Sequence, residues 1–231
     1  MNTTIQHNLQ IVRQRIAAAC ERVGRNPEEI VLVAVTKTVD PERINAAIDA
    51  GVTDIGENRV QEALQKFPLI KPSTRHLIGH LQTNKVKKAV QIFDWIHSVD
   101  SFHLAEKISR EAQNAGKILP VLLEVKTAPE ETKFGVAPDE AKELARRVGT
   151  LPGIRLRGLM TIAPFTSEEE PVRESFRTLR LLRDEIGAAG FSGVEMDTLS
   201  MGMSNDFEIA IEEGATMVRI GTAIFGPRMT T

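Results

Sequence analysis

Eight short apolar runs, each separated from the next by a longer stretch of helical spacing, constrain this chain more than any other feature. The pattern predicts strands over Ile30 to Thr36, Asp54 to Gly56, His76 to Gly79, Trp95 to Val99, Leu119 to Glu124, Arg155 to Met160, Thr198 to Met201 and Met217 to Ile220. Between them it predicts helices such as Pro41 to Ala50, Val60 to Lys66, Asn84 to Ile92, Ser101 to Ala115, Asp139 to Val148, Pro171 to Ala189 and Asp206 to Glu213. Strands alternating with helices imply a parallel sheet joined by right-handed crossovers. Eight such units in 231 residues predict one closed (β/α)8 barrel, a fold of roughly 250 residues, with an open doubly wound sheet as the weaker alternative. Ahead of the first strand, Ile5, Leu9, Val12, Ile16, Ala19 and Val23 recur at helical spacing before Gly24, which adds an N-terminal helix. No linker or internal repeat divides the chain, so residues 1–231 read as a single domain.

A formal charge of -2 removes the general electrostatic case for nucleic acid or an anionic membrane surface. No segment approaches the roughly 20 apolar residues of a membrane helix, and Met1 to Gln14 lacks the apolar core of a signal peptide. A cytoplasmic protein is expected. Cys20 is the sole cysteine, so neither an intrachain disulfide nor a cysteine-built metal site can form. Tyrosine is absent altogether, which removes one acid/base group from any mechanism.

Barrel chemistry sits at the C-terminal ends of strands and in the loops that follow. Lys37, Asn58, His80, Glu124, Met160, Ser200 and Arg219 fall there. An amine after a buried run is open to depression of its pKa, as a Schiff-base nucleophile requires, although solvation at the rim is the plainer reading of a lysine in that place. Ser200 and Ser204 follow the seventh strand, and Gly221-Thr222 follows Arg219 at the eighth. Barrels frequently bind phosphate with those two loops. The combination suggests an aldehyde that carries a phosphate. Asn58 reads equally as a ligand contact or as a cap for the next helix, His80 as a hydrogen-bonded structural histidine, and Lys85, Lys87 and Lys88 as a solvated helix face. Glu195 and Asp197 read as loop acids. No dinucleotide-binding glycine motif, Walker loop, zinc-protease motif or nucleophile elbow is present.

Taken in order, Val33-Ala34-Val35-Thr36-Lys37-Thr38, Gly56-Glu57-Asn58, His76-Leu77-Ile78-Gly79-His80, Lys133-Phe134-Gly135, Leu199-Ser200-Met201-Gly202-Met203-Ser204 and Arg219-Ile220-Gly221-Thr222 resemble the pyridoxal phosphate homeostasis proteins, single-domain barrels similar to that of alanine racemase. The resemblance implies that pyridoxal 5'-phosphate (PLP) is held as a Schiff base on Lys37. It implies a phosphate site of Ser200, Ser204, Gly221 and Thr222, Arg219 facing the pyridine nitrogen, and Asn58 beside the ring. It implies no metal. Some relatives carry a second lysine where this chain has Val39, and Lys133 matches a lysine linked to cofactor handling.

A guanidinium only donates, so a pyridine nitrogen facing Arg219 must stay unprotonated, which weakens the ring as an electron sink. Racemases of the resembling fold add a tyrosine base and a further β domain, whereas this chain has no tyrosine and ends at Thr231. A non-catalytic carrier that buffers PLP or delivers it to apo-enzymes is therefore expected, and outer helices that read as amphipathic rather than apolar all round favour a monomer. A PLP-dependent amino-acid racemase is the alternative, and a cofactor-free lysine aldolase a third reading.

Overall fold

The computed structural model describes residues 2–128 and 134–227, so Lys133 lies outside the described residues. Eight strands, β1 Val31–Val35, β2 Asp54–Glu57, β3 Thr74–Leu77, β4 Trp95–Val99, β5 Leu119–Glu124, β6 Ile154–Met160, β7 Val194–Ser200 and β8 Met217–Ile220, close into a parallel barrel in chain order. The open-sheet alternative is thereby overturned. Helices α1 Asn2–Arg22, α2 Pro41–Asp49, α3 Val60–Lys66, α4 Val86–Ile92, α5 Phe102–Asn114, α6 Pro138–Val148, α7 Glu169–Ala188, α8 Phe207–Glu212 and the short α9 Thr222–Phe225 alternate with them. Among the described residues no helix is long and apolar enough to cross a membrane.

Local chemistry starts several of these helices where expected. Asp40 accepts a hydrogen bond from the Arg43 N–H at 2.9 Å, with Pro41 at the first helical position of α2, and Ser101 accepts from the Leu104 N–H to open α5. Burial then fixes the helices to the barrel. Ala34, Ile55, Leu77 and Ile96 of the strands share one buried cluster with Ile44, Ala63, Val90 and Leu104 of the helices. Each large aliphatic side chain so buried contributes about 1.5–3 kcal/mol. Helix α1 packs on α2, α8 and α9 through the buried Ile5, Leu9, Val12 and Ile16.

Strand β7 is longer than its apolar run suggests. Glu195 and Asp197 are not loop acids; they lie on β7, where Glu195 pairs with Arg155 and Arg157 of β6 and Asp197 with Arg157. Acidic residues are depleted from strands, which hid the period-2 alternation of Glu195 and Asp197 with Val194 and Met196, the two that pack on the core. These pairs are about half exposed and add little stability. Where β6 shifts register against both neighbours, Gly158 adopts φ +156°, and a Cβ there would lie 1.8 Å from the Thr198 carbonyl oxygen. Only glycine lets the two strands approach so closely.

Gly158→Ala should therefore lower stability by about 3 kcal/mol in urea unfolding. Gly190→Ala, at φ +63° with nothing within 4 Å of the added carbon, should cost only about 1 kcal/mol. Equal losses would show that backbone conformation, not the strand contact, governs Gly158.

Candidate functional site

The seam between the first and last strands builds the site. Val33 lies opposite Arg219 and Ala34 opposite Ile220 in the β1–β8 ladder, so the turns after these strands emerge side by side at the C-terminal mouth. A cavity of about 1090 Å³ opens there, and Lys37, Ser204, Arg219, Gly221 and Thr222 all line it. Five of the seven expected residues thus come together.

Lys37 stands two positions beyond β1, half-buried, and the backbone on both sides of it is pinned. Thr38 has φ +62°, a left-handed conformation that a β-branched residue adopts only under constraint. Its N–H donates to Glu62 Oε1 at 2.6 Å, and Lys66 Nζ donates to the Thr36 carbonyl at 2.7 Å. Lys66 also bonds Glu62 and Glu57, while Thr36 Oγ1 donates to Glu57 Oε1 at 2.7 Å. Glu57 is completely buried, and burial pushes its carboxyl above the usual range against the opposing pull of Thr36 and Lys66.

Arg219 is 4 % exposed. Burial pulls its guanidinium down to about 10, countered by Asp206 and Glu124, so it remains cationic at neutral pH. Nη1 donates to Ser200 Oγ at 2.7 Å and Nη2 to the Thr161 carbonyl at 2.8 Å. Ser200 itself is fully buried and is not part of the cavity wall; its hydroxyl lies between Arg219 and His97, whose Nδ1 is 3.0 Å away. The expected direct phosphate contact through this hydroxyl does not match that placement. Ser204 does face the cavity, and its Oγ accepts the Gly221 and Ala223 N–H groups at 3.3 Å each.

Asn58 is also outside the wall, and it caps no helix: Arg59 occupies the cap position of α3 without a side-chain bond, and Asn58 Oδ1 is buried with no hydrogen-bond partner. Its backbone is packed on Gly79, where a Cβ would meet the Asn58 oxygen at 2.5 Å. His80 stacks on Phe134 at 3.8 Å and lies 3.5 Å from an Asp100 oxygen, away from the wall. Glu124 ends β5 with Oε2 buried and unpartnered, and burial pushes its carboxyl up to about 7, against the pull of Arg219.

An amine, a fixed cation and a cluster of N–H and hydroxyl groups in one cavity suit a ligand with a carbonyl and an anionic group. The alanine racemase N-terminal domain matches residues 3–229 of the chain. A pyridoxal phosphate homeostasis protein of Aquifex aeolicus is 47% identical over 95% of this chain and 96% of its own length. The chain belongs to the pyridoxal phosphate homeostasis protein family. PipY of Synechococcus elongatus, whose structure has PLP bound, superposes with a TM-score of 0.85 at 36% identity over 96% of this chain and 100% of that one. Alanine racemase of Clostridium difficile shares only the fold, with a TM-score of 0.81 at 16% identity over 99% of this chain and 58% of that one.

Sequence reasoning missed Glu57, Glu62 and Lys66 as supports for Lys37 in this family member, and His76 and His97 beneath Arg219. The i,i+4 spacing of Glu62 and Lys66 was a visible signal for an ion pair.

Lys66→Met should cost about 3 kcal/mol at pH 7, because Glu57 is left buried without its cation. The loss should shrink near pH 4, where Glu57 is protonated; chemical unfolding at both values checks this, and an equal loss at both would contradict it. Glu124 carries the opposite pH signature from a salt-bridged acid. Its folded pKa of about 7 exceeds the ordinary 4.5, so between those values the folded state keeps a proton that the unfolded state releases. Stability falls as pH rises through that window, by about 3 kcal/mol above pH 7. Glu124→Gln should remove this slope and raise the melting temperature relative to wild type at pH 8 but not at pH 4.

Proposed function

We propose that the chain binds PLP reversibly in the seam cavity, as a Schiff base on Lys37, and that it buffers or delivers the cofactor without turning over a substrate. The convergence of Lys37, Arg219, Ser204, Gly221 and Thr222 on one cavity carries this reading. The name of the Aquifex aeolicus relative and the PLP-bound structure of PipY support it.

The residues fit the cofactor chemically. Lys37 supplies the amine, with its backbone held by Glu62 and Lys66. Gly221 and Ala223 offer N–H groups, and Ser204 and Thr222 hydroxyls, for a phosphate; the N–H groups already point at an oxygen, Ser204 Oγ. Arg219, held by Ser200 and Thr161, presents a permanent donor to a ring nitrogen. Ser200 then serves the site through Arg219, while Asn58, outside the cavity wall with its oxygen buried, has no direct part in it. When bound, the cofactor supplies an aldehyde for amine exchange and a ring able to withdraw electrons. A donor that never loses its proton keeps that ring nitrogen an acceptor and limits the withdrawal. With no tyrosine anywhere in the chain, the phenol base of a racemase is missing as well. We further propose a single domain over 1–231, a monomer, a cytoplasmic location, and apo-enzymes that need PLP as recipients.

Protein loaded with PLP and dialysed should keep a visible absorption band, which Lys37→Ala abolishes. Borohydride reduction and peptide mapping should place the pyridoxyl label on Lys37; a label elsewhere overturns the site. Appearance of D-amino acids from L-amino acids at about one turnover per second or faster would overturn the carrier reading in favour of a racemase.

A further inference from the structure

Beneath the cavity, the barrel bore is crossed by a line of polar side chains that the site does not need for contact. Barrel interiors are usually filled by layers of bulky branched residues. Here Arg219 Nη1 donates to Ser200 Oγ at 2.7 Å, Ser200 Oγ lies 3.0 Å from His97 Nδ1, His97 Nε2 lies 2.9 Å from His76 Nδ1, and His76 Nε2 lies 2.9 Å from Asp54 Oδ1. His97 is on β4 and Ser200 on β7, which are not neighbours, so their bond spans the bore. Asp54 opens β2 and Arg219 lies near the end of β8, so the line runs from the N-terminal mouth to the cavity floor.

The two ends fix what lies between. Arg219 can only donate, and an ionised Asp54 can only accept. Asp54 is disfavoured as an anion by burial, but hydrogen bonds from His76 and Thr53 outweigh this and hold its carboxyl below the usual range. His97 is wholly buried, and desolvation, with His76 and Arg219 nearby, holds it well below the usual imidazole range, so it is neutral. With Ser200 accepting from Arg219, its own proton passes to His97 Nδ1; His97 Nε2–H then donates to His76 Nδ1, and His76 Nε2–H to Asp54. Every proton along the line finds an acceptor. The competing arrangement, a doubly protonated His76 with His97 carrying its proton on Nδ1, gives Ser200 two donors and leaves its buried hydroxyl proton with neither of these partners as acceptor. That loss is expensive in a dry interior. Trp95 stacks on His76 at 5.9 Å, and His76 is 1 % exposed.

We propose that Arg219, Ser200, His97, His76 and Asp54 form a one-way hydrogen-bond chain that makes His97, His76 and Asp54 positioning residues for the guanidinium on the cavity floor. The chain holds Nη1 in one place and sets the Asp54 carboxylate, at the far mouth, as the terminal acceptor for a buried cation. Its part in cofactor binding rests on the function proposed above; the chain itself does not.

Long-range proton–nitrogen correlation NMR on histidine-labelled protein without cofactor reads the tautomers directly, with His76 and His97 assigned from single His→Gln variants. Both should carry the proton on Nε2 at neutral pH. A proton on Nδ1 of His97, or on both nitrogens of His76, overturns the proposal. Asp54→Asn replaces a pure acceptor with a group that can also donate. His97, which has no bond to residue 54, should then shift toward a tautomer mixture together with His76, and Asp54→Glu should restore the single form. An unchanged His97 in Asp54→Asn overturns the coupling. With PLP as the probe, Asp54→Asn should weaken binding roughly 3- to 30-fold, and Asp54→Glu should recover most of it; wild-type affinity in Asp54→Asn overturns the positioning role. Should wild-type protein fail to take up PLP, the proposed function falls while the tautomer measurement still decides the chain.

Discussion

Pairing of the first strand with the last is the interaction on which the site depends. Val33 and Arg219 are far apart in sequence, yet the ladder sets them side by side, and the meeting of Lys37 with Arg219, Gly221 and Thr222 at one cavity follows from that register. A slip of one residue would turn Arg219 out of the bore and into the apolar sleeve, since side chains alternate with period two. The register is thus held by burial on both faces. Closure also removes the open edges that a parallel sheet would otherwise expose.

Around this seam the protein maintains two polar networks, one on each side of the strands. Outside, Glu57, Glu62 and Lys66 pin the backbone about Lys37 and hold Thr38 in a conformation it would not choose alone. Inside, Ser200 and Thr161 fix Arg219. Buried ionic groups rarely add net stability over apolar packing of the same volume. Their presence here is explained by placement: an amine and a guanidinium held at one cavity need fixed backbones and fixed rotamers, and hydrogen bonds with directional demands supply that where apolar contacts do not.

Most of the barrel was legible because its period is simple: eight runs, seven intervening helices, and a capping residue at several helix starts. Lys37, Ser204, Arg219, Gly221 and Thr222 were legible because strand ends and the last two loops are where a barrel does chemistry. The rest depended on information a linear pattern lacks. Ser200 reads as a phosphate ligand because it falls at the loop after the seventh strand, whereas it closes that strand and its hydroxyl lies against Arg219 and His97, partners 19 and 103 positions away. His97 drew no notice. A signal was there, because parallel barrel strands are buried on both faces and read as continuous apolar runs, and Trp95-Ile96-His97-Ser98-Val99 and Thr74-Arg75-His76-Leu77 break that run with polar side chains. Such an interruption demands a partner across the bore. Sequence could not say which one.

Helix α1 explains how a seam between the first and last strands stays closed. The β7–β8 ladder is short, with Ser200 opposite Met217 as its register pair, so β8 needs support from outside the sheet. Helix α1 gives it: Asn8 donates to the Ile224 carbonyl, and beyond the end of α1 Arg25 donates to the Ile211 and Ala215 carbonyls, while Arg15 and Arg22 pair with Glu208 and Glu212. The exposed ion pairs contribute little on their own. The carbonyl bonds and the buried face of Ile5, Leu9, Val12 and Ile16 do more, because they tie the first element to those that flank β8. Arg43 of α2 reaches the Phe225 carbonyl at the end of α9 in the same way. The site therefore sits where the first helix is fastened to the elements that flank the last strand, and loosening α1 would be felt at Arg219 before it was felt in the remote half of the barrel.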